Sequence, residues 1–165
     1  MSRIYLTSID NKTAFELKNW ENFTDPKLAG YNYGGLTDFE IKLWQGTISM
    51  PNKKYFAVKR VEDDRFIGFI GLKNINPFFK RAKLGIVFDP NFVSKGYGYE
   101  AVSALLEVFF DKMNYNNLYQ MSTPSMKGLK IFIKNVVLRS IPTLGKCLKI
   151  KMLRWMKDIL NILTV

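Results

Sequence analysis

Gly96 and Gly98 stand one residue apart, directly after Lys95 and at the opening of a helical pattern, in the run Leu84-Gly85-Ile86-Val87-Phe88-Asp89-Pro90-Asn91-Phe92-Val93-Ser94-Lys95-Gly96-Tyr97-Gly98-Tyr99-Glu100-Ala101. These residue types at this spacing suit the gripping of an anion. The first N–H groups of a helix lack intrahelical partners and carry the positive end of its dipole, so a phosphate can dock there. Glycine lets the backbone approach a diphosphate closely and takes φ > 0 where the turn needs it. Lys95 adds a positive charge. The spacing is not Gly-x-Gly-x-x-Gly, since residue 101 is Ala, and no Gly-Lys-Ser/Thr follows to make a P-loop. On pattern alone a plain strand-to-helix turn remains the alternative.

Other chemistries are poorly supplied. The chain has no His, which removes the commonest general base and metal ligand, and its one cysteine, Cys147, leaves no Cys/His zinc site, no Cys–His catalysis and no internal disulfide. No metal is therefore expected, and a reducing, cytoplasmic location is the simpler expectation. The N-terminus shows no signal-peptide core, and no apolar run reaches membrane-spanning length. Ser94 has no partnering base, so it is not a nucleophile. Glu40 follows Thr37 at capping-box spacing, and Glu100 falls where a helix dipole favours an acid, so both have structural explanations.

The elements that must position the Gly96 turn follow from periodicity. Ile4 to Ser8 reads as an opening strand, then Thr13 to Trp20 as a helix after Asp10 and Asn11. Phe23 to Leu36 reads as loop, and a second helix follows Thr37, with Phe39, Leu43, Trp44 and Ile48 apolar and Pro51-Asn52 at its end. Tyr55–Val61 and Phe66–Leu72 form a hairpin around Glu62, Asp63 and Asp64. Ala82–Phe88 is an apolar strand, expected to be buried on both faces, and Asp89-Pro90-Asn91 breaks it. From Gly96 to Met113 a helix buries Ala101, Leu105 and Phe109 beside Val102, Leu106 and Phe110. Asn116 to Tyr119 starts a further strand. The 165 residues, 47% hydrophobic and 15% aromatic, suit one globular domain.

This order of elements, with Phe66-Ile67-Gly68-Phe69-Ile70-Gly71-Leu72, Leu84 to Pro90 and Lys95 to Ala101, resembles the GNAT acetyltransferase superfamily, especially its ribosomal-protein alanine N-acetyltransferase-like branch. The resemblance covers residues 3 to about 119. It implies an α/β (α+β) fold with a mixed, mostly antiparallel central sheet flanked by helices. It also implies acetyl-coenzyme A as co-substrate: backbone amides around Ser94, Lys95, Gly96, Tyr97, Gly98 and Tyr99 would hold the pyrophosphate, while the strand Ile86, Val87 and Phe88 pairs with the pantetheine arm. Tyr31, Tyr33, Phe39 and Trp44 lie where the family builds its acceptor wall, with ordinary packing as the plainer alternative. Val93 replaces the family's Arg/Gln, and Lys83 replaces an acidic residue, so no glutamate base is available there.

From Gln120 onward the chain stops resembling the family. Nine of the twenty-five basic residues and one of the fourteen acidic ones lie there, so this segment carries +8 of the net +11. The family's next helix, with Asn-x-x-Ala-x-x-Leu-Tyr-x-x-x-Gly-Phe and its Tyr acid, is missing. Shifting the reading frame by one base lets Met121 to Leu138 be recoded as VNTFNERAKNLYKKCGF, which restores that helix in place. We therefore read residues 1–120 as the acetyltransferase core and 121–165 as an atypical basic tail, the product of a shifted frame. The expected activity is acetyl transfer from acetyl-coenzyme A to a primary amine, a protein N-terminus or a small molecule, with no nucleic-acid or membrane partner. The alternative is a non-catalytic coenzyme A-binding or basic interaction module that uses the tail on acidic lipid or nucleic acid.

Overall fold

The computed structural model describes residues 2–109, 113 and 117–119. Its five strands are β1 (Ile4–Thr7), β2 (Lys54–Arg60), β3 (Phe66–Asn76), β4 (Arg81–Phe88) and β5 (Asn117–Tyr119), in spatial order β1-β2-β3-β4-β5. The first three pairings are antiparallel, and β4 with β5 is parallel. The helices are α1 (Asn11–Phe15), α2 (Asp38–Ile48) and α3 (Tyr97–Glu107). This is the expected mixed α/β sheet flanked by helices.

Local chemistry sets the element ends. Asp10 caps α1 by accepting from the Thr13 N–H at 2.7 Å. Thr37 and Glu40 form the reciprocal capping box at the start of α2: the Thr37 N–H donates to Glu40 Oε2 at 2.8 Å and the Glu40 N–H to Thr37 Oγ1 at 3.3 Å. Asp64 takes φ 54° in the β2–β3 turn, the left-handed conformation that Asp tolerates.

Several boundaries and burials differ from expectation. The first helix gives way after Phe15 to a 3-10 turn at Glu16–Asn19, and the Phe23–Leu36 loop contains a 3-10 segment at Pro26–Tyr31. On α2 only Ile41 is fully buried, whereas Phe39 and Leu43 are 74% and 62% exposed, so the apolar stripe is not the covered one. In β4 only Ala82 and Leu84 are buried; Lys83 and residues Gly85 to Phe88 are half-buried. The strand is thus not covered on both faces along its length. The α-helical part of α3 passes at Val108 and Phe109 into a π turn, where the Met113 N–H donates to the Val108 carbonyl at 3.0 Å; the element buries Ala101, Val102, Leu105, Leu106 and Phe109. Phe110 and the tail from residue 120 lie outside the described residues.

The core has two parts, one on each face of the sheet. On one face α3 packs with Ile4, Val58, Ile67, Ile70, Leu72 and Leu84. On the other, Leu17, Trp20, Ala57, Phe66 and Phe69 pack with Tyr33, Trp44, Tyr55 and Val87. Side chains alternate faces along a strand, so β3 and β4 contribute to both.

Candidate functional site

The chain leaves β4 through a built turn. Asp89 is fully buried, donates its N–H to the Ile67 carbonyl at 3.0 Å, and accepts the Asn91 N–H on Oδ1 at 3.0 Å. Its other oxygen faces the Arg65 guanidinium at 3.6 Å. A 3-10 turn at Pro90–Phe92 follows, and buried Phe92 anchors it. Ser94 and Gly96 then take left-handed conformations, φ 63° and 87°. Gly96 is the N-cap of α3, and no side chain caps that helix. Of the two glycines, Gly96 needs the freedom of a missing Cβ; Gly98 lies inside the first helical turn.

Arg3 secures this turn from the other end of the chain. Its backbone N–H donates to Glu100 Oε2 at 2.7 Å, its Nε to Oε1 at 2.6 Å, and its Nη2 to the Lys95 carbonyl at 3.2 Å. The guanidinium also lies 4.6 Å from the centre of the Tyr97 ring. Burial alone would raise the Glu100 pKa, but the Arg3 hydrogen bonds and charge outweigh it and hold the carboxyl below its usual 4.5. The stabilisation from a depressed carboxyl is fully present above the ordinary glutamate value and is lost as pH falls through the lower folded value. A thermal-melt series from neutral to acid pH should therefore show Glu100→Gln lowering the melting temperature at pH 7, with the gap to the parent closing as pH falls through the depressed Glu100 value.

The outer edge of β4 is the second component. Among the described residues β5 pairs with Arg81, Ala82 and Lys83, and no strand pairs with the outer edge from Leu84 to Phe88. The Asp89 N–H points to β3, so by alternation the peptide groups of Ile86 and Phe88 face outward and those of Val87 face β3. Among the described residues those outward peptide groups have no partner strand, and β4 runs on through Asp89 and the Pro90–Phe92 turn to the start of α3.

The residues expected at the cofactor fall as follows. The side chains of Ile86 and Phe88 pack toward α3, and Val87 packs toward the aromatic face. Ser94, Lys95 and Gly96 are exposed on the turn, with Lys95 Nζ 5.4 Å from the Phe92 ring centre. The Tyr97 ring is buried in the core, so this residue offers the site only its backbone; Tyr99 is half-buried against the same core. Of the candidate acceptor residues, Tyr33 and Trp44 join Phe69 in an edge-to-face cluster, with ring centres 5.1 to 6.0 Å apart. Phe39 and Tyr31 are exposed, and neither joins that cluster. Sequence reasoning missed Arg3 and Asp89. For Asp89 the available signal was an acid directly before Pro at a strand end; for Arg3 there was none. Among the described residues no group of three or more His, Cys, Asp or Glu side chains is placed to hold a metal, and no helix is long and apolar enough to cross a membrane.

Comparison with known proteins identifies the family and the fold. The model of the Acetyltransferase (GNAT) domain matches residues 3–124. The chain is 28% identical over 144 residues to the uncharacterized N-acetyltransferase YnaD of Bacillus subtilis (strain 168), which covers 81% of each protein. A chimeric spermidine N-acetyltransferase, SpeG, from Vibrio cholerae and hSSAT superposes with a TM-score of 0.67 at 17% identity, over 82% of this chain and 80% of that one. A GNAT-family acetyltransferase from Bacillus anthracis gives 0.65 at 18% identity, over 82% and 79%. Acyl transfer from acetyl-coenzyme A is this family's chemistry, and the chain belongs to the GNAT acetyltransferase family.

Proposed function

We propose that this protein moves the acetyl group of acetyl-coenzyme A directly to a primary amine, a protein N-terminus or a small molecule. The observation that carries this is the junction of a Gly96-opened helix without a side-chain cap and an outer edge of β4 that, among the described residues, has no partner strand beyond Lys83. The diphosphate fits the first, because the amides ahead of Tyr99, whose own N–H already donates to the Gly96 carbonyl at 3.1 Å, lie at the positive end of the helix beside a residue with no Cβ. The pantetheine arm fits the second, by pairing with the peptide groups of Ile86 and Phe88 as a further strand would. Amides on that edge also stabilise negative charge on the thioester oxygen as the amine attacks. Much of the acceleration then comes from holding two substrates side by side.

We also propose that residues 1–120 form the acetyltransferase core and that 121–165 is a shifted-frame product, which removes the family's Tyr acid and leaves this chain an impaired enzyme. The branch assignment, ribosomal-protein alanine N-acetylation, rests on the motif resemblance. The spermidine activity of the structural neighbours keeps polyamines among the acceptors to test. The experiment is release of coenzyme A thiol in the presence of spermidine or a peptide with N-terminal alanine, for this chain and for a frame-restored version. We expect amine-dependent release from both, faster in the restored chain. Release from neither contradicts the assignment; equal rates contradict the shifted-frame proposal alone.

A further inference from the structure

Tyr55 sits in β2 on the aromatic face, and its ring reaches across two neighbouring strands. Its register partner in β3 is Gly71, and the partner of Gly71 in β4 is Gly85. A Cβ on Gly71 would stand 2.7 Å from Tyr55 Cδ1, and one on Gly85 would stand 2.6 Å from the Tyr55 hydroxyl oxygen and 3.3 Å from Cε1 and Cζ. The phenol therefore lies flat over both glycines. Glycine weakens a strand interior, and its presence there marks a close approach by another group; here two glycines at one register level make the space that a single Tyr ring fills. Phe69 closes one side of that ring edge-on, with centres 5.9 Å apart.

The hydroxyl ends above Gly85, beside Ile86, whose peptide group opens the outer edge of β4. It lies on the face of Tyr33, Trp44 and Val87, opposite α3. Among the described residues it has no hydrogen-bond partner. Burial, with a smaller contribution from the Tyr33 phenol, raises the Tyr55 pKa above its usual value, so the group stays neutral at physiological pH. A neutral hydroxyl with a free lone pair sits where a nucleophile must approach a carbonyl held on that edge.

We propose that the Tyr55 hydroxyl oxygen accepts a hydrogen bond from an N–H of the acceptor amine and holds the nitrogen over the β4 edge, with the amine's carbon chain against Tyr33 and Trp44. This rests on the N-acetyltransferase assignment above. The neutral nitrogen uses its lone pair to form the N–C bond. The C–S bond breaks with its electron pair on sulfur, nitrogen loses one proton to solvent, and the thiolate takes one from solvent. Tyr55 neither gains nor loses a proton, and its contribution is position.

The ring alone would serve packing, so Tyr55→Phe separates the two roles. With spermidine or an N-terminal alanine peptide as acceptor, Tyr55→Phe should lower kcat/KM for the amine by about tenfold, chiefly through KM, with acetyl-coenzyme A affinity and melting temperature unchanged. Gly85→Ala should reproduce the loss, because the three atoms nearest the new Cβ all belong to the Tyr55 side chain, its hydroxyl oxygen first. A kcat/KM within about twofold of the parent in Tyr55→Phe overturns the proposal by itself. If the parent chain transfers acetyl to neither amine, the N-acetyltransferase assignment falls and this proposal falls with it.

Discussion

Gly96→Ala is expected to weaken acetyl-coenzyme A binding by about tenfold or more while leaving the sheet folded. Gly96 holds φ at 87°, where an L-residue's Cβ crowds the following carbonyl at a cost of about 1–2 kcal/mol. The turn relieves that strain by rotating toward negative φ, which re-aims the amides at the start of α3. The Cβ would also lie 3.0 Å from Arg3 Nη2, the atom that donates to the Lys95 carbonyl. Strain and a displaced Arg3 act on the same few peptide groups, so the loss falls on ligand affinity. Titration of acetyl-coenzyme A into parent and variant checks this, with circular dichroism to establish that both are folded. Equal affinities would show that this turn does not hold the diphosphate.

Gly71→Ala should destabilise the protein by about 3 kcal/mol or more, the upper end of what overpacking does. A Cβ there would stand 2.3 Å from the Lys54 carbonyl oxygen and 2.6 Å from Tyr55 Cα. Both are backbone atoms of β2, so no rotamer change makes room and β2 and β3 must separate locally. Gly46→Ala in α2 is the control. Nothing lies within 4 Å of its would-be Cβ, and alanine is the better helix former, so stability should rise by up to about 1 kcal/mol. Denaturant unfolding of the two variants tests the opposite signs. A neutral Gly71→Ala would mean that β2 and β3 do not pair in this register.

Local signals in the sequence locate the strands, the caps and the turn, but not the 3-10 segments at Glu16–Asn19 and Pro26–Tyr31. Thr37 and Glu40 at capping spacing, the acidic β2–β3 turn and the buried stripe of α3 all arise from interactions within a few residues, and each is found where periodicity puts it. What sequence could not show depends on partners far along the chain. The Arg3–Glu100 pair joins residues 97 positions apart, and no spacing encodes it. The fit of Tyr55 over Gly71 and Gly85 appears only once register is known, since shifting one strand by a residue would move the ring to the other face. Phe39 and Leu43 have helical spacing, but periodicity does not say which apolar stripe a neighbour covers. The apolar run of β4 looks doubly buried because continuous hydrophobicity does not say how completely each face is covered, and Gly85 to Phe88 are half-buried. Tyr97 is expected at the cofactor through its backbone amide, and its position in the turn does not reveal that its ring packs in the core.

Calorimetric titration of acetyl-coenzyme A into the full chain tests the central claim most directly. The geometry predicts saturable one-to-one binding that free coenzyme A competes away and that Gly96→Ala weakens about tenfold. No binding, or binding that Gly96→Ala leaves unchanged, would contradict it.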